Sequence, residues 1–257
     1  MLMIGMVIKE IGSKLKKAGK LETNPLCIYG SERIPRDGIP IKDINRCIAH
    51  AIFDLSINKE PSSIYVGNDA LERCCPGGQA WLGYKPFLPQ LKHFISTGSS
   101  NFRNGAAEFL LANPELAEQK LNSIGKITPI GRYTVIQKFD SISEEALNVK
   151  EFLCFGHSEQ IRNLCSLAYF QPEEEITIKM PWGPSCASFI TYPSGLTELH
   201  KKNLIIGPID PTGNFWFPHN YLSLGIPIKV AELMANSMDD SFIIKRPEVA
   251  YPTRQKT

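Results

Sequence analysis

PLCIYG, residues 25–30, is a short apolar run closed by a glycine, and residues 151–156, EFLCFG, pass through much the same pattern again. Each reads as a buried strand: apolar residues fill consecutive positions, no polar face is left, and turn-forming residues lie close by. The segments after the two runs are also alike. Behind PLCIYG, Asp43 is placed to cap a helix that carries Ile44, Cys47, Ile48, Ala51, Ile52 and Leu55 on one face. A strand at Ser63–Gly67 (SIYVG) and the turn CCPGG come next. Behind EFLCFG, Ser158 is placed to cap a helix with Ile161, Leu164, Cys165 and Ala168 on one face. A strand at Glu175–Met180 (EITIKM) and a turn carrying Cys186 complete the series.

Six cysteines then pair in order, Cys27 with Cys154, Cys47 with Cys165 and Cys75 with Cys186, leaving Cys74 over. The expected architecture is α/β with a mixed sheet, in one globular unit spanning 1–257. Two similar halves, 25–140 and 150–245, would face each other across a cleft. A pseudo-two-fold axis would then bring Cys75 and Cys186 together. Around this frame, residues 5–20 read as an amphipathic helix, with Ile8, Ile11, Leu15 and Ala18 inward and Lys14, Lys16, Lys17 and Lys20 on a solvated face. Residues 88–124 hold helical stretches broken at Asn113–Pro114, and Tyr133–Phe139 is a strand leading into an acidic segment around Glu144 and Glu145. Strands at Leu204–Gly207 and Tyr221–Ile228, a helix at Val230–Met238 and a last strand at Ser241–Lys245 finish the chain.

Composition narrows the function classes. A net charge of +2, spread along the chain, gives no basis for nucleic-acid binding. No apolar run approaches the roughly 18 residues of a membrane span, and the apolar first eight residues lack a basic leader and a cleavage site. Seven cysteines without such a leader point to reduced thiols and a cytoplasmic protein. The phosphate-binding G-x-x-x-x-G-K-[ST], the dinucleotide-binding G-x-G-x-x-G and the G-x-S-x-G elbow are all missing, as is C-x-x-C.

The chemistry therefore rests on two turns. In CCPGGQAWLGY (Cys74 to Tyr84), Pro-Gly-Gly opens a helix and leaves Cys75 at its start. Free N–H groups and the positive dipole end favour a thiolate there. Gly77 and Gly78 allow positive φ or a close approach of backbone to a ligand. In WGPSCASFITYP (Trp182 to Pro193), Cys186 repeats the placement. His157 and Gln160, where a strand passes into a helix, are the polar candidates for a cleft, and Trp81, Trp182 and Trp216 are candidates for its walls.

The cysteine helix around Cys47, the run Cys75–Gly78 with Leu82-Gly83, Gln160 on its helix, Cys186 after small residues and Ile226-Pro227 resemble a prokaryotic, often archaeal, family. It is known as domain of unknown function 169, and the likeness runs over roughly residues 25–245. Two places depart from its pattern: the doubled Cys74-Cys75, and Asp210–Asn214, which lacks an arginine. The resemblance implies an architecture and a site position, not an activity. On the residues themselves, the leading expectation is a redox or metal cofactor between the halves, most simply an iron–sulfur cluster. Cys47, Cys75 and Cys186 would be its ligands, with Gly77, Gly78 and Gln160 beside it. Two alternatives stay open. One is an enzyme using Cys75 as nucleophile with His157 as base, and the other a small-ligand module in which the thiols only pack.

Overall fold

A computed structural model describes residues 2–71, 73–142, 148–172, 175–211 and 213–252; the acidic segment around Glu144 and Glu145 lies outside them. The strands are β1 (Leu26–Ser31), β2 (Gly38–Pro40), β3 (Ser63–Gly67), β4 (Tyr133–Lys138), β5 (Val149–His157), β6 (Ile178–Lys179), β7 (Leu204–Gly207) and β8 (Tyr221–Pro227). They form one mixed sheet in the order β2-β3-β4-β1-β5-β8-β7-β6. PLCIYG and EFLCFG supply the two central strands. These pair antiparallel, with Leu26 opposite Leu153 and Cys27 opposite Phe152.

From that pair outward, each side steps antiparallel, antiparallel, parallel. On one side the steps are β1–β4, β4–β3 and β3–β2; on the other, β5–β8, β8–β7 and β7–β6. Position in this order changes the pairing expected of the cysteines. Cys47 falls between β2 and β3, and Cys186 falls between β6 and β7. By place, then, Cys47 matches Cys186, and Ser63–Gly67 matches Leu204–Gly207.

Helices cover both faces, which is why the central strands carry apolar residues at successive positions. Cys27, Tyr29, Phe152 and Cys154 face a core made with α1 (Leu2–Gly19), α6 (Ser158–Ala168) and α7 (Ile228–Ser237). Leu26, Ile28, Leu153 and Phe155 face a second core. It is made with α2 (Ile48–Ile57), α3 (Pro76–Trp81) and a π-helical turn at Ala187–Thr191. Cys165 packs on the first core and Cys47 on the second, so these two are not counterparts. Two further helices, α4 (Leu91–Phe94) and α5 (Pro114–Ser123), lie in the long connection from β3 to β4. Asn113 caps α5 by accepting the Leu116 N–H, with Pro114 at its first position.

Local competition shifts several expected boundaries. Asp43 belongs to a short 3-10 turn, and α2 begins only at Ile48. The Asn45 side chain takes the Cys47 N–H at 2.9 Å, and Cys47 keeps an extended backbone as the N-cap. His157, not Ser158, caps α6. EITIKM contributes only Ile178 and Lys179 to the sheet. The segment expected as a last strand turns into α8 (Phe242–Lys245), because the Ser241 hydroxyl accepts the Ile243 N–H and starts a helix.

Glu151, in central strand β5, is fully buried. Neither of its carboxyl oxygens makes a well-formed hydrogen bond. Burial is the main cause that pushes its pKa well above the ordinary carboxylate value, with the Ser194 hydroxyl pulling weakly the other way. A carboxyl with a raised folded-state pKa binds more protons folded than unfolded. Its contribution to stability is therefore lost as pH rises above the unfolded value of about 4.3. Glu151→Gln is expected to flatten that decline in urea titrations between pH 4 and 7, and to be the more stable form at neutral pH. A less stable variant with an unchanged pH slope would contradict the neutral carboxyl.

Candidate functional site

Three cysteines from distant stretches meet at one end of α2. Cys47 is the N-cap of α2, Cys75 the N-cap of α3, and Cys186 immediately precedes the π-helical turn. The reason lies in backbone accounting, since the first N–H groups of a helix have no partner inside it. The Ile48 N–H points to the Cys75 sulfur, and the Ala49 N–H to the Cys186 sulfur. The first turn of α2 is thus completed by thiols belonging to two other elements. Cys75 is locked to the same place through its own N–H, which donates to the Arg46 carbonyl at 2.8 Å.

The three thiols differ in charge. A hydrogen bond from the Cys47 thiol is the largest influence on Cys75, and it lowers the pKa to about 6 against the cost of burial. The N–H groups of Ile48, Gly78 and Cys75 itself add to that effect. The same bond drives Cys47 far upward, because giving up its proton would place two anions side by side. Burial pushes Cys186 well up, and the Cys75 charge adds to it. Within this cysteine floor the bond therefore favours negative charge on Cys75 with the proton kept on Cys47, and burial favours the protonated form of Cys186. With only six residues, α3 has a small dipole, so direct donors account for the thiolate better than the macrodipole does.

Above the floor opens a cavity of about 390 Å3, into which Cys47, Cys75, Gly77, Gly78 and Cys186 all face. Trp81 and Trp182 stand beside the thiols, their rings 6.4 Å apart. The two glycines play different parts. A Cβ on Gly78 would come within 2.9 Å of the Cys75 sulfur and 2.8 Å of Ile48 Cδ1, so only glycine fits. A Cβ on Gly77 would meet nothing within 4 Å, and neither residue has positive φ. The turn needs close packing at Gly78, not left-handed backbone.

Other expected site residues lie elsewhere. Gln160 Oε1 accepts the His157 N–H at 2.8 Å, and its amide donates to the Lys20 carbonyl at 2.6 Å. It fastens α6 to the end of α1 and is absent from the cavity wall. His157 packs edge-on to Tyr221 and likewise does not reach the cavity, so Cys75 is activated by Cys47 and not by a histidine. Cys74 is buried in the second core, its pKa raised to about 11 chiefly by desolvation. Cys27 and Cys154 are core residues of adjacent strands.

Several positioning residues gave no advance sign in the sequence. The Thr191 hydroxyl donates to the Trp81 carbonyl at 2.5 Å and to the Cys186 carbonyl at 3.2 Å, riveting α3 to the second cysteine turn. The Gln79 amide holds the Cys74 carbonyl at 2.7 Å. Ser185 is bonded to Asn214, and Asn214 to the Asp210 carbonyl, at the thiol end of the cavity. His50 stacks on Trp216 at 4.5 Å. Among the described residues, no group of three or more His, Cys, Asp and Glu side chains is disposed to hold a metal ion. No described helix is long and apolar enough to cross a membrane.

Fold and site together define an α/β protein with a cysteine floor under an apolar cavity. Residues 14–237 match the model of an uncharacterised family, domain of unknown function 169, described as uncharacterised ArCR, and the chain belongs to that family. No curated protein and no solved structure matches the chain.

Thiol reactivity and unfolding measurements test this geometry. In metal-free protein, alkylation of Cys75 by iodoacetamide, read by peptide mass spectrometry, should rise with pH around a midpoint near 6. Cys47→Ala should move that midpoint up by about one unit or more, because it removes the largest lowering influence. A midpoint untouched by Cys47→Ala would reject the shared proton. Gln160→Ala should cost about 0.5–2 kcal/mol in thermal or urea unfolding, as loss of a helix cap does, and leave the Cys75 midpoint alone.

Proposed function

We propose that this protein binds a redox or metal cofactor at the cysteine floor. An iron–sulfur cluster is the favoured form, for which Cys47, Cys75 and Cys186 would have to rearrange from their present positions to become ligands, with one iron position open to the cavity. The observation that supports this reading is the meeting of three N-terminal-cap cysteines around the start of α2, with backbone donors aimed at two of the sulfurs. Such donors favour thiolate ligands and tune the potential of a centre they surround, and a largely apolar wall lowers the polarity around it. The thiols in their present arrangement share a proton, so loading requires Cys47 to release its hydrogen bond and both Cys47 and Cys186 to ionise. Cofactor uptake would then release protons and strengthen with pH. The reading fits a cytoplasmic protein, where thiols stay reduced. It also fits two halves, 25–140 and 150–245, contributing Cys47 and Cys186 from matching places in the sheet.

One observation favours a second reading. Cys75 is a thiolate near neutral pH with a proton donor in contact, as a nucleophilic cysteine requires. In that case the protein is an enzyme, Cys75 attacks an electrophile held in the cavity, and the Cys47 thiol supplies the proton.

Anaerobic purification with iron and acid-labile sulfide analysis separates the two. The cofactor reading expects a coloured protein whose iron and sulfide fall together, by about tenfold or more, in a Cys75→Ser, Cys186→Ser double variant. Colourless, metal-free protein after anaerobic reconstitution, with Cys75 alkylating far faster than the other thiols, would sink it in favour of the nucleophile.

A further inference from the structure

The cavity extends well beyond what ligation by three cysteines asks for. Its volume of about 390 Å3 lies in the range of small-molecule sites, roughly 300–1,000 Å3. Much of its wall is hydrocarbon, made by Phe87, Leu91, Phe94, Phe102, Leu110 and Leu121. One excursion of the chain, residues 68–132 between β3 and β4, builds this wall. The connection at the matching place, between β7 and β8, takes only residues 208–220.

The excursion is pinned to the body around the cavity. The Thr128 N–H donates to the Leu196 carbonyl at 2.8 Å, and the Thr197 hydroxyl to the Ile124 carbonyl at 2.6 Å. Lys92 and Glu118 tie α4 to α5 at 2.9 Å. Three charged side chains, Arg103, Glu108 and Asp210, also face the space. The Arg103 guanidinium lies over the Phe94 ring, 4.2 Å from its centre, and Asp210 belongs to the Asn214–Ser185 group beside the thiols. A guest that fills the space therefore meets mostly hydrocarbon, and only a polar group set beside one of the few polar residues keeps partners for the hydration it loses.

We propose that this cavity is a binding chamber for a small, mainly hydrocarbon molecule whose one polar end meets the cysteine floor and the Ser185–Asn214 pair. The inference rests on the cysteine floor being the functional centre, and it names the class of molecule that floor would meet. Aliphatic and aromatic bodies are both suited to a wall of leucine and phenylalanine.

A series of n-alkanols from butanol to dodecanol tests it, with the shift of tryptophan emission as the readout, since Trp81 and Trp182 line the space. Affinity should rise about fourfold per methylene and then stop at a chain length set by the cavity. Leu91→Phe should shorten that limit and Leu91→Ala lengthen it, in variants shown by circular dichroism to be folded. Binding independent of chain length, or a limit that neither variant moves, would overturn the chamber. Decanoate bound more tightly than decanol would put the polar end at Arg103 and overturn its place on the cysteine floor. Alkanol binding needs no metal, so an iron analysis that fails beside a clear chain-length limit removes the cofactor reading and leaves the chamber standing.

Discussion

Leu26 on β1 faces Leu153 on β5 at the middle of the sheet, both wholly buried, and through this antiparallel pair the two sides of the molecule are joined. Every other strand reaches the opposite side only through it. Both cores also pass across it, because alternate residues of the same two strands feed opposite faces. The constraint is one of register: a slip of one residue would send Cys27 and Tyr29 to the side of α2, and Leu26 and Ile28 to the side of α1. Placement of the cysteine floor depends on this register, since α2 and the π-helical turn sit on one face, on either side of the central pair.

Around the start of α2 the chemistry comes from unmet backbone donors. An ordinary helix start would take a serine or aspartate oxygen as its acceptor. Here two of those N–H groups go to sulfurs from elsewhere in the chain, and the third cysteine gives its proton to the contact with Cys75. One bond thereby sets both pKa values, in opposite directions. Gly78 lets the partners close on each other, because any side chain there would strike the Cys75 sulfur and Ile48. Thr191 keeps the second cysteine turn within reach of the first. A buried thiolate of this kind is costly to hold unless donors surround it, and the donors come from the starts of both α2 and α3.

The sequence was legible where chemistry is local. Apolar runs marked the central strands, Pro-Gly-Gly marked the start of α3, and a glycine-rich turn with a cysteine at its head marked one floor of a site. It misled where two local preferences compete. Asn45 takes the N–H that would have allowed an earlier helix, so Cys47 is a cap and not a face residue. Ser241 starts a helix in a run of isoleucines that otherwise suits a strand. Gln160 has a polar side chain at a helix start, which can serve a ligand or the backbone equally well, and only its contact with Lys20 shows which.

Strand composition, helix spacing and the position of Cys75 and Cys186 at turns were thus determined by the sequence itself, since each depends on residues within a few positions of one another. Which face Cys47 and Cys165 occupy depends on strand order, and strand order depends on pairings between residues more than a hundred positions apart. The partner of Cys75 was likewise decided by tertiary structure. Nothing near it in the chain lowers its pKa as strongly as Cys47 does, and that contact exists only once the starts of α2 and α3 come together. The cavity has the same origin, because its floor and its hydrocarbon wall come from segments that meet only in the folded chain.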